Sequence, residues 1–318
     1  MRTCQMKKNK KNILSQRLTT WAVVFLTTLL TGCASIEFAK EAPRYCPPLP
    51  TIKQQPKLAL VLGGGGARGL AHVGVIEELT KANIQPDLIV GCSAGAIVGT
   101  LYADSLDITA LRELLMDKKR SDFIGLSLGN LPYSVSEGAE LKAFLKKNLS
   151  ATSFEDLKIP TAVVATNLQF GDLTPFATGE ITTPVLASAA FPGAIHPVKI
   201  EGQYFVDGGV ADPVPVSAAK SLGAEFVIAI ELKNELPPEA PNHILGLMMR
   251  TIEIGYNHHS FRSVKDADFL IRVPFREIGT FDDSQNQLIY EAGKAAAKEA
   301  LPRLLKALKK HNLSSAYY

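Results

Sequence analysis

Cysteine is scarce: four residues in 318, at positions 4, 33, 46 and 92. That spacing fits no zinc site and offers no disulfide framework. Long apolar runs are short as well. The stretch at residues 19–33, TTWAVVFLTTLLTGC, has an apolar core below the roughly 20 residues of a comfortable transmembrane helix. A basic body is missing too. The net charge is +3, but Arg2, Lys7, Lys8, Lys10, Lys11 and Arg17 all lie in the first 32 residues, which contain no acid, so the remainder stands at −3. A mildly acidic body gives no electrostatic case for nucleic acid. No internal repeat and no low-complexity tract is found. What is left is ordinary globular composition, 46% hydrophobic and 20% charged, enough for one large or two modest cores.

The N-terminal stretch has the layout of a targeting segment. A basic region from Lys7 to Arg17 leads into an apolar run of h-region size, and the run ends in Leu30-Thr31-Gly32-Cys33. This end resembles the bacterial lipobox, in which cleavage falls before the cysteine and its thiol carries lipid; a plain signal peptide with a chance cysteine is the competing reading. One acyl chain anchors weakly, at roughly 0.8 kcal/mol per buried CH₂, and lipoproteins of this type carry several. Ala34 and Ser35 follow, not the Asp that favours inner-membrane retention, so the expected location is the cell envelope, at the outer membrane. Residues 1–32 are thus expected as signal peptide. Residues 33–56, with five prolines and no periodicity, are expected as lipidated Cys33 plus a tether. Cys4 would be removed with the signal, and Cys92 lies inside a motif where burial makes a disulfide implausible.

From Lys57 onward strand-like and helix-like segments alternate. Short continuous apolar runs at 57–62, 87–90, 161–166, 203–206, 225–231 and 267–273 predict strands, several buried on both faces. Helical patterns are expected near 69–82, 94–103, 109–119, 136–148, 182–190, 213–221, 243–265 and 285–310. The alternation predicts an α/β fold with a layered sheet. The basic residues of the last helix read as a solvated face or as a contact with anionic lipid.

Two motifs carry chemistry. In LALVLGGGGARGL, residues 58–70, a strand stops in four glycines. Gly64, Gly66 and Gly69 make a G-x-G-x-x-G, which raises dinucleotide binding, but the acid expected at the end of the second strand is missing: Asp87 stands at its start and Gly91 at its end. A purely structural turn is the other alternative. The second strand ends in Gly91-Cys92-Ser93-Ala94-Gly95, a G-x-S-x-G elbow that seats a serine on a sharp strand-to-helix turn. If the two strands lie parallel and adjacent, with helix 69–82 as crossover, both loops emerge at one sheet edge. The amides of Gly64 and Gly65 would then face Ser93 as donors to an oxyanion, with Arg68 holding the loop or attracting an anionic head group.

A serine nucleophile needs a base. Among the histidines that follow, only His196 sits near a loop of suitable kind. A better candidate is Asp207 in YFVDGGVADPVP, at a strand end before Gly208-Gly209; an ordinary Asp-Gly turn is the bland alternative. A free carboxyl titrates near 3.9, and burial would raise it toward a working range. His72 and the pair His258-His259 read as a packed residue and surface residues. Phe191, Pro192 and Pro197 read as an acyl path or as loop packing.

The blocks GGGGARG, GCSAG and DGG, in that order, together with ASAAFPGAIHPV at 187–198, resemble the patatin-like phospholipases over residues 57–275. Plant members begin the first block with Asp; bacterial members often have Gly, as Gly63 is here. The resemblance implies a three-layer α/β/α fold with a mostly parallel central sheet, and residues 276–318 as a helical segment packed on it. It implies a Ser93–Asp207 dyad and an oxyanion hole from Gly64, Gly65 and Gly66 with Arg68 nearby. Gly91, Gly95, Gly208 and Gly209 complete the motifs. It also implies hydrolysis of membrane-lipid esters through an acyl-serine, with no metal and no cofactor. A catalytically silent acyl-chain-binding lipoprotein is the alternative. Head group, acyl length and oligomeric state are not encoded in these motifs.

Overall fold

The computed structural model describes residues 36–38, 43–50, 55–127, 133–236, 238–276 and 278–313. The expected signal peptide and Cys33 lie outside the described residues. β1 (Leu58–Leu62) leads through α1 (Leu70–Lys81) to β2 (Leu88–Cys92), followed by α2 (Ala94–Ser105) and α3 (Ile108–Met116). Next come β3 (Ser134–Ser136), α4 (Ala139–Asn148), β4 (Thr161–Asn167), β5 (Leu173–Phe176) and α5 (Thr182–Ser188). Then follow β6 (Gly193–Ile195), β7 (Val198–Ile200), β8 (Gln203–Asp207), α6 (Val216–Ser221) and β9 (Phe226–Glu235). The chain continues through α7 (Ile244–Ser263), β10 (Phe269–Arg276) and α8 (Asn286–Lys310).

The continuous apolar runs become the centre of the sheet because they can be buried on both faces. Along β1, Leu58, Leu60 and Leu62 join the core built with α1 and α8, while Ala59 and Val61 join a smaller core with α6. The result is a sheet between helical layers. β10, β9, β1, β2 and β4 run parallel, and β5, β7 and β8 add antiparallel pairings. β1 and β2 are neighbours with α1 as the crossover, so their C-terminal loops share one edge of the sheet.

The expected elements appear with shifted ends, each for a local reason. α6 starts at Val216, not 213, because Pro213 and Pro215 lack the N–H that a helix interior needs. α4 starts at Ala139, not 136, because Ser136 pairs in β3 and Gly138 takes a left-handed conformation, φ 76°. β3, β5, β6 and β7 are three or four residues long, too short to show periodicity. The segment read as a tether lies partly on the domain: the Tyr45 N–H donates to Gln203 Oε1 (3.2 Å), and Gln203 Nε2 donates to the Pro43 carbonyl (2.6 Å).

Candidate active site

Ser93 directly follows β2 and has φ 53°, ψ −120°. A non-glycine residue held there costs about 1–3 kcal/mol and persists only where its surroundings over-determine it. They do so here. The Ser93 N–H donates to Ser188 Oγ (2.9 Å), and its carbonyl accepts from the amides of Ala96 (2.9 Å) and Ile97 (3.2 Å). The flanking glycines are steric necessities. A Cβ on Gly91 would stand 2.5 Å from Ala96 Cα, and one on Gly95 would stand 2.1 Å from the Leu62 carbonyl oxygen.

The sheet itself brings Asp207 to the serine. β5 occupies one edge of β4 along Val163–Thr166. On the opposite edge, β2 pairs as far as Cys92 with Val164, and antiparallel β8 pairs from Asn167 back to Asp207 with Ala165. Two strands of opposite direction therefore end head to head at consecutive positions of β4. Ser93 Oγ donates to Asp207 Oδ2 at 2.6 Å. Asp207 Oδ1 accepts from the Gly209 amide (2.8 Å) and the Tyr256 hydroxyl (3.1 Å). Gly208 lies so close to β4 that a Cβ would come 2.4 Å from the Val164 carbonyl oxygen. Full burial raises the Asp207 carboxyl from 3.8 to about 6, against the lowering effect of its three hydrogen bonds. Burial, together with the adjacent Asp207 charge, also pushes the Tyr256 phenol well up, so the phenol stays a donor.

The glycine loop needs a correction from its expected use. The Gly64 amide donates to the Pro213 carbonyl (2.8 Å), so it is committed to holding the loop. What Gly64 supplies is space: a Cβ there would touch Ser93 Cβ at 3.4 Å. The amides of Gly65 and Gly66, and that of Ala94 at the start of α2, have no acceptor among the described residues. Arg68 likewise holds the loop. Its buried guanidinium donates to the carbonyls of Gly65 (3.1 Å) and Ile278 (3.2 Å) and meets Glu253 of α7 at 3.4 Å. His72 is a third brace. Its Nε2 lies 2.7 Å from the Gly63 carbonyl, and full burial lowers its pKa to about 4, so the ring is neutral and Nε2 is the donor.

Ser93, Gly65 and Gly66 open into a cavity of about 210 Å³. Much of its lining is apolar, including Ile97, Val98, Leu115, Phe123, Leu141 and Ile195. Phe191 also lines it and packs edge-on to Tyr256 and Phe281, whereas His196 packs edge-on to Tyr133 and its Nδ1 lies 2.9 Å from the Pro197 carbonyl. His258 and His259 are exposed on α7. Among the described residues no group of three or more His, Cys, Asp or Glu is placed to hold a metal ion. No local sequence pattern points to Tyr256 or Glu253. Both sit on α7, whose pattern announces a helix and not which face meets the site.

Fold and site together place the chain among layered α/β proteins with a serine on a strand–helix elbow. The description "Patatin-like phospholipase" matches residues 60–220, a span that takes in the glycine loop, the elbow and Asp207. The chain belongs to the patatin-like phospholipase family, a family of lipid acyl hydrolases. It is 28% identical over 295 residues to the lysophospholipase NTE1 of Mycosarcoma maydis, covering 83% of this chain and 15% of the relative. It is 31% identical over 224 residues to an uncharacterized NTE family protein of Mycobacterium bovis, covering 66% of this chain and 61% of the relative. The chain thus spans less than two thirds of either relative. The crystal structure of VipD from Legionella pneumophila is similar at TM-score 0.48 and 15% identity, covering 83% of this chain and 72% of that one.

Proposed function

We propose that this protein is a serine acyl hydrolase acting on carboxylic esters of membrane lipids, of phospholipase A or lysophospholipase type. The observation that carries the reading is the 2.6 Å bond to a fully buried carboxylate from the Oγ of Ser93, which lines a largely apolar cavity. Asp207 takes the Ser93 proton as Oγ attacks the ester carbonyl. The tetrahedral oxyanion is held by the amides of Gly65 and Gly66, with Ala94 beside them. Asp207 returns the proton to the departing alcohol, and an acyl-serine remains. Water then gives a proton to Asp207 while its oxygen attacks the acyl carbon; the acid leaves and the proton returns to Ser93. Cys33 is proposed to carry the lipid anchor, with the chain at the outer membrane of a bacterial envelope, where its substrate lies; mass spectrometry of the mature N-terminus tests this.

Covalent labelling tests the chemistry. An alkyl fluorophosphonate is expected to form one adduct, on Ser93, and the adduct is expected to vanish in Ser93→Ala. Folded protein without an adduct would favour the acyl-binding alternative.

A pH profile tests the base. Asp207 works only when ionised, so kcat/KM is expected to climb with pH up to about 6 and level off above it. The Tyr256 hydroxyl favours the carboxylate. Tyr256→Phe is therefore expected to move that limb up by about one pH unit while costing only a few-fold in rate at pH 8. A tyrosine that served packing alone would leave the limb in place.

A further inference from the structure

α7 is apolar on two opposite sides. One side faces inward: Met249, Ile252, Glu253, Tyr256 and Ser260 line the cavity. Ile244, Leu247 and Met248, then Ile254 and Phe261 at successive seven-residue steps from Leu247, lie on the other side, 80%, 57%, 58%, 50% and 61% exposed. Single exposed apolar residues need no explanation, but five along one helix face form a patch of the kind that marks an interaction surface. No helix among the described residues is long and apolar enough to cross a membrane, so lipid contact would place α7 on the bilayer surface.

We infer that the outward face of α7 docks on a bilayer carrying anionic lipid, which brings the cavity mouth to the substrate. The inference rests on the lipid-ester reading for its purpose but not for its geometry. Two observations select lipid over a protein surface. First, the wall of the cavity and the patch are the two sides of one helix, so whatever covers the patch lies beside the cavity. Second, the exposed charged residues lining the cavity, Lys119, Arg120 and Lys233, are all cations, while its acids, Glu231, Glu253 and Asp283, are buried or half-buried, on a chain whose body is otherwise slightly acidic. In the last turn of α7 and just past it, Arg262 and Lys265 outweigh Asp266. Apolar insertion with a basic fringe is the signature of an interfacial helix. The helix also reaches the chemistry from that position, since Tyr256 bonds Asp207 and Glu253 meets Arg68 of the glycine loop.

The test uses the full chain, with and without Leu247→Asp plus Ile254→Asp, two positions outside the cavity. Amide hydrogen exchange is followed by mass spectrometry with vesicles of phosphatidylcholine containing phosphatidylglycerol. Peptides spanning 244–263 are expected to slow about tenfold on vesicle addition in the parent and not in the double variant. Vesicle lipid hydrolysis is expected to fall about tenfold in the variant, while a short water-soluble ester is cleaved within about twofold of the parent rate. Unchanged exchange in the parent would overturn the inference. So would equal vesicle hydrolysis by the variant, or protection of α7 that grows with protein concentration without vesicles, which would assign the face to a second copy. If the parent cleaves neither substrate, the hydrolase reading fails, and the exchange result still decides the docking.

Discussion

Asp207→Asn is expected to melt higher than the parent at pH 8 and to turn over about ten-thousandfold more slowly. Both effects come from one buried charge. Between pH 3.8 and about 6 the native carboxyl keeps a proton that the unfolded chain has lost, so stability falls as pH rises through that window. Above it the full cost of the buried carboxylate is present, roughly 3 kcal/mol at 1.36 kcal/mol per pH unit. The amide is neutral and can satisfy the same partners: its oxygen accepts from Gly209 and Tyr256, and its NH₂ donates to Ser93 Oγ. For a chain of this size the gain corresponds to about 5 °C or somewhat more in Tm. The loss of rate follows because an amide cannot take the Ser93 proton, and fluorophosphonate labelling is expected to slow in parallel. Calorimetry at pH 8 and pH 4.5 checks the thermal part, since the stability advantage should shrink at the lower pH. A variant that melts lower at pH 8 would mean that Asp207 is structurally required as a carboxylate, and the account of its buried charge as destabilising would be wrong.

The part of this site that could be read in the sequence is the part made by short-range rules. Gly91 and Gly95 around Ser93 announce a turn with no room for side chains, and the structure has backbone within van der Waals contact at both. The alternation of apolar runs and helical patterns predicts parallel β1 and β2 with α1 between them, because a parallel pair needs a crossover. What could not be read depends on pairing between distant segments. The antiparallel entry of β8 along the same edge of β4 is what sets Asp207 against Ser93, and no local pattern in YFVDGG encodes direction. The use of each glycine amide is equally non-local: Gly64 spends its N–H on Pro213, about 150 positions away along the chain, while the amides of Gly65 and Gly66 have no acceptor among the described residues. Arg68 turns inward to Gly65, Ile278 and Glu253 because its loop packs under α7, a contact between residues 185 apart.

These distinctions separate the glycines by what each replacement meets, and Gly95→Ala is expected to be the most damaging of the set. Its new methyl would sit 2.1 Å from the Leu62 carbonyl oxygen and 2.8 Å from that of Gly63, both backbone atoms of the central strand and its loop. Neither can yield without moving β1 relative to α2, so a loss of about 3–5 kcal/mol is expected, enough to leave little folded protein at 37 °C. Gly66→Ala is expected to be nearly as severe, since Gly66 has φ 58° and its methyl would meet the Thr280 carbonyl oxygen at 2.2 Å. Gly65→Ala meets Leu232 Cδ1 at 2.6 Å, the movable end of a side chain, and should cost less. Gly64→Ala touches only ordinary contacts, 3.4 Å to Ser93 Cβ and 3.5 Å to Cys92 Sγ. It is expected to fold within about 1 kcal/mol of the parent and still to lose activity, because the methyl stands over the serine where the substrate carbonyl must approach. Urea denaturation of the four variants, read beside their fluorophosphonate labelling rates, checks the order. A Gly64→Ala protein that labels at the parent rate would show that the ester reaches Ser93 from another side of the loop.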